Sequence, residues 1–226
     1  MVAIMCVVSG YTYVAQRESL TGLYRASKYL VIATVIENIA FFLLLWWLLN
    51  TYLRFLVSGH DLMDLGKWLP LLVLSPQMQL IMLSFATSLL IWLYAVFGEM
   101  IPALRELETR ETGLRTPLTM VSWGFIAALT LTAIQMTISS IIYLVIADLI
   151  TYLITYLLAI SILTTYLLAY IGFFLIFEKL SRVLGDKRFV TVGVLVLVSA
   201  FIFFLGPVAW FISFQTLRDL LHTTIY

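Results

Sequence analysis

Cysteine is almost missing from this chain. Cys6 stands alone, which excludes an intrachain disulfide and a thiolate metal cluster. Histidine is nearly as scarce: His60 and His222 lie far apart, so paired histidines inside a bundle are not available to hold haem. Charged residues make up only 11% of the 226, too few to cover the exterior of a water-soluble domain of this length. The formal net charge of +1 supplies neither a basic surface for nucleic acid nor an acidic tail. Catalytic patterns are missing too. There is no Walker loop, dinucleotide glycine fingerprint, His-Glu-x-x-His motif or nucleophile elbow. Serines within the apolar runs have no histidine or lysine base nearby. Neither an enzyme nor a cofactor or resident metal is expected.

Apolar sequence is what the chain has. Hydrophobic residues reach 63%, against about 45–50% in ordinary soluble chains. Runs of about 18 or more such residues read as spanning helices. Five spans are predicted, at about 29–57, 77–97, 118–145, 150–177 and 189–214. The fold expectation is all-α, a single polytopic transmembrane bundle with amphipathic cytoplasmic connectors. Residues 1–15 have no basic leader, so they read as a short interfacial or packed helix and not a cleaved signal, within an interfacial or amphipathic segment over 1–28. Between spans two and three lies the most polar stretch, where Glu106 and Arg110 sit four apart in the favourable order. Gly113 is a helix stop there, and Thr116-Pro117 an N-cap and first turn. Gly185 and Asp186 repeat that stop and start before the last span.

Basic residues give the orientation. Arg17, Arg25, Lys28, Arg105, Arg110, Arg115, Lys179, Arg182, Lys187 and Arg188 fall on one side under the five-span layout. The opposite side receives Arg54, Lys67 and Arg218. The positive-inside rule then predicts a multi-pass cell-membrane protein with a cytoplasmic N-terminus. Gly206-Pro207 leaves two forms open for the last segment: one kinked span, or a re-entrant hairpin returning the C-terminus to the basic side.

Three span ends look alike, at residues 103–107, 178–182 and 216–220, each a short amphipathic tail. In the N-terminal segment, Leu20, Leu23, Tyr24, Ser27 and Leu30 line one helical face, with Arg25 and Lys28 on another. Such faces suit the headgroup layer. Across residues 20–44, 97–125 and 170–221 the rhythm of spans and amphipathic connectors resembles archaeal membrane proteins of domain-of-unknown-function family 973. The resemblance implies a polytopic α-helical fold and carries no catalytic residues.

Glu37-Asn38 is the sharpest local feature. A carboxylate near the centre of a spanning helix costs about 3 kcal/mol, so it should face protein or water and not lipid. Span three adds a polar stripe with Thr132 and Gln135, whose hydroxyls are expected to bond back to helix carbonyls. Tyr152, Tyr156, Tyr166 and Tyr170 of span four read as an aromatic belt with a packing seam. Thr151, Thr155 and Ala159, four apart, form the candidate helix-packing interface. Two functions compete on these residues. The favoured expectation is a non-catalytic subunit or scaffold of a membrane assembly, its partners being lipids and other subunits or a second copy. The alternative is a small transporter or channel with its polar site around Glu37.

Overall fold

The computed structural model describes residues 2–57, 75–108, 113–145 and 149–223. Side chains are described for 17–54, 57, 75–108, 113–138 and 154–222. All regular structure among them is helical. Helix α1 covers Val2–Val57. Helix α2, Pro76–Leu93, runs through a π-helical turn, Tyr94–Met100, into α3, Ile101–Glu108. Then come α4, Arg115–Val145, α5, Leu149–Leu184, α6, Arg188–Ser199, and α7, Gly206–Thr223. Four stretches are long and apolar enough to cross a membrane: Arg17–Arg54, Pro76–Glu108, Arg115–Ile138 and Ile154–Leu184. This is a membrane protein.

Local chemistry explains most of the boundaries. Ser75 caps α2 by accepting from the Met78 amide at 3.3 Å, with Pro76 in the first turn. Pro102 has no amide hydrogen for the Gly98 carbonyl. The chain there widens to π geometry, and the Ile101 amide reaches back to the Val96 carbonyl. Gly185 stops its helix with φ of 69°, and Gly113, just ahead of α4, has φ of 113°, values that disfavour a side chain. Helix α4 starts two residues earlier than predicted, at Arg115 and not Pro117, because the Leu118 amide bonds the Leu114 carbonyl at 3.0 Å. Thr116 is therefore inside the first turn, where Pro117 loses nothing by lacking its amide hydrogen. The Asp186 carboxylate accepts from the Arg188 amide at 2.9 Å and so acts as the start signal for α6. Hydrogen bonds from the Arg188 side chain hold the Asp186 carboxyl below the usual carboxylate range.

Two helix pairs form the body. Helix α1 packs on α2, and α4 packs on α5. The α4–α5 seam is built on glycine: a Cβ at Gly124 would lie 2.9 Å from the Ala169 amide nitrogen and from the Thr165 carbonyl. One at Gly172 would lie 2.8 Å from Val121 Cγ2. Small residues let membrane helices approach to dispersion contact where lipid offers no hydrophobic drive. Helix α3 meets α4 at the connector end, and α6–α7 pack between α5 and α1.

The last apolar segment is not a single kinked helix over 189–214. It is a helical hairpin, and Gly206-Pro207 opens its second arm. Its root is fixed by Arg188, which donates to Asp219 at 2.7 Å and to Asp186 at 2.8 Å. Arg218 accordingly belongs with the basic connector end, leaving Arg54 as the one basic residue at the opposite end among those described. The 12 residues of α6 rise about 18 Å, short of a hydrocarbon core about 30 Å thick. Within the turn at 200–205, the Ala200, Phe201 and Ile202 amides bond carbonyls of Leu197 and Val198, and the Leu205 amide bonds that of Ile202.

The look-alike amphipathic tails also differ from expectation. They do not lie on a lipid surface; they pack on each other. Leu20, Leu23 and Leu30 are buried in one cluster with Leu104, Leu107, Leu180 and Leu217. Ser27 and Ser213 hydroxyls pair at 2.9 Å, Tyr24 stacks on Phe214 at 4.8 Å, and Ser19 donates to Glu106 at 2.8 Å. Helix α1 is continuous from Val2 to Val57, and its 19–30 face is a core face. Arg110, the expected partner of Glu106, lies outside the described residues. Facing amphipathic stripes bury more surface against one another than against headgroups, which explains the outcome. A single cysteine introduced at Gly185 and a reporter fused after Tyr226 should be accessible from the same side of the membrane. Opposite-side accessibility would mean that the hairpin is a crossing.

Candidate functional site

The two helix pairs come together at the connector end and leave a cavity of about 470 Å³ between them. An aromatic cluster forms its floor. Trp92 of α2 lies 4.5 Å from Phe125 of α4, and Phe125 lies 6.0 Å from Tyr166 of α5. Behind it, Phe173 contacts Trp92, Phe125 and Trp210, so α7 supports the floor from outside the cavity. Leu89, Leu129 and Ile162 continue the walls away from the connectors. Nearly all of this lining is apolar.

Glu37 opens onto the same space from α1. One turn earlier, the Ala33 carbonyl accepts from Ser88 of α2 at 2.8 Å, which fixes the rotation of α1 on α2 and aims residue 37 past the contact. Ser88, Thr132 and Tyr166 are the other polar residues around the cavity. The Ser88 proton is committed to Ala33, and Thr132 donates to the Ala128 carbonyl at 2.7 Å, as expected of span-three hydroxyls. Among the described lining residues there is no cation.

Tyr166 and Tyr170 are not belt residues. Their hydroxyls pair at 2.9 Å inside the bundle. On α6, Ser199 donates to the Val196 carbonyl at 2.6 Å. Tyr156, by contrast, is 64% exposed, as a belt residue should be; the side chain of Tyr152 lies outside the described residues.

The remaining sequence candidates separate. Asn38 does not line the cavity. Its amide donates to the Thr34 carbonyl at 2.7 Å, and its Oδ1 is enclosed without a partner among the described residues. Thr34, Asn38 and Phe41 share a helical face. Thr34 packs near Gly206, and Phe41 lies 4.2 Å from Phe203, so this face meets the hairpin turn. Gln135 is partly exposed and does not line the cavity. Thr155 is half-buried, Ala159 exposed, and the Thr151 side chain lies outside the described residues. Sequence reasoning missed Trp92, Phe125 and the tight glycines Gly124 and Gly172. The glycines had a readable signal: small residues at four-residue spacing, Gly124 with Ala128 and Thr165 with Ala169. Compared with protein-family models, curated proteins and solved structures, the chain matches none of them.

Proposed function

We propose that this is a small cell-membrane transporter or channel whose ligand site is the cavity at Glu37. One observation carries the reading: Glu37 of the α1–α2 pair and Thr132 of the α4–α5 pair open onto the same membrane-embedded space. A carboxylate at that depth is costly unless a proton, water or ligand meets it, and a site between two helix pairs is reached when one pair rocks on the other. The basic connector end supports an orientation with the N-terminus, both connectors and the C-terminal hairpin root in the cytoplasm.

Reconstituted protein should give saturable solute or ion flux in proteoliposomes. Glu37→Gln should cut that flux to below about a tenth, a change of ~1.4 kcal/mol, while Thr155→Leu leaves it intact. The assembly-subunit reading has one observation in its favour, the Ala159 face of α5 that the chain itself leaves open. It predicts the reverse: no intrinsic flux, and a co-purifying partner or second copy lost on Thr155→Leu.

A further inference from the structure

We infer that the cavity selects lipophilic organic cations, such as hydrophobic quaternary ammonium or phosphonium ions and protonated amphiphilic amines. The inference rests on the cavity being a ligand site and adds the class of ligand.

Three features of the lining converge on that class. The carboxylate is the one charge on the described walls, so an anion is repelled and a neutral molecule leaves the charge unmatched in a medium of low dielectric. The walls that face it are aromatic: Phe85 and Trp92 from α2, Phe125 from α4 and Tyr166 from α5. Ring faces carry negative potential, and cation–π attraction is strongest where water is excluded. Third, the oxygen donors are too few for a dehydrated metal ion, which takes about six to eight of them. Here there are Glu37, Ser88, Thr132 and Tyr166 on a mainly apolar surface. An ion with its charge spread over a hydrocarbon skeleton meets all three conditions. The volume, about 470 Å³, falls in the range that holds a drug-sized molecule.

The test uses three probes of similar bulk and different charge: tetraphenylphosphonium, tetraphenylborate and the neutral triphenylphosphine oxide. Binding is measured on the full chain in zwitterionic lipid nanodiscs, with partition into empty nanodiscs subtracted. Only the phosphonium should bind saturably, and Glu37→Gln should weaken it about tenfold or more, ~1.4 kcal/mol. Phe85→Leu, which keeps the carboxylate and the apolar volume, should weaken it several-fold. If Glu37→Gln does not purify as a monodisperse species, the Phe85→Leu comparison decides, and unchanged phosphonium binding there overturns the inference. Phosphonium binding that survives intact in a monodisperse Glu37→Gln protein overturns it as well. Saturable binding of the neutral or anionic probe at equal affinity also overturns it, while leaving the cavity as a ligand site. No saturable binding of any probe removes both.

Discussion

Gly172→Leu should separate the α4–α5 pair and leave little monodisperse protein. The space is filled by backbone: beyond Val121 Cγ2, the Val121 amide nitrogen and Pro117 carbonyl stand 3.0 Å from where a Cβ would go. A flexible side chain can yield to an added group, but a helix backbone must translate. Overpacking a dense core costs about 1–3 kcal/mol and occasionally more, and this site belongs at the upper end. Gly124→Leu, against the Ala169 backbone and the Thr165 carbonyl, should behave alike. Leu163→Ala, on an exposed position of α5, is the control and should change nothing. Thermal unfolding of purified protein, followed by tryptophan fluorescence, reads the difference. A Gly172→Leu protein melting within a few degrees of wild type would mean that the seam is looser than its distances.

Removing the indole at Trp210 should be nearly as damaging. Trp210 is 2% exposed and joins α7 to α5 through Phe173 at 5.5 Å and Phe177 at 5.7 Å. In water-soluble cores a Trp→Ala change costs about 3–5 kcal/mol, part of it transfer from water. Where lipid is the reference medium that part shrinks, and the cavity and lost dispersion contacts remain, about 2–3 kcal/mol. Trp210→Ala should also unseat the floor of the Glu37 cavity, because Phe173 loses the ring that backs it. Trp210→Phe should restore most of the stability. Equal melting of all three proteins would show that the hairpin contributes little to holding the bundle.

The sequence made the helices legible and left their partners illegible, for a physical reason. Hydropathy reports the medium around a segment, so the spanning stretches and the polar connectors could be read directly. The glycine stop at Gly185 and the proline start at Pro76 are equally local. Which face of a helix meets another is a different question when lipid and protein interior are both apolar. Leu20, Leu23 and Leu30 have the same stripe whether they lie on headgroups or on Leu104 and Leu217. Tyr166 and Tyr170 read from sequence as a belt with a packing seam, and only the structure shows their hydroxyls paired. Glu37 was legible because a charge in hydrocarbon needs a reason wherever it points. Its aromatic surroundings come from three helices and have no sequence pattern to reveal them.

The hairpin carries a consequence for how the chain is made. Ser27 leaves the ribosome long before its hydrogen-bond partner Ser213, and for that interval the small-residue face of α1 has no cover. Helix α6 is too short to be inserted as a crossing by itself. Its turn, tipped by exposed Phe201 and Phe204, can enter the bilayer only beside the α1 and α5 surfaces that receive it. Insertion of the last segment is thus templated by the rest of the molecule. Docking of the hairpin closes the fold by fastening later-made residues onto earlier ones, as Ser213 onto Ser27.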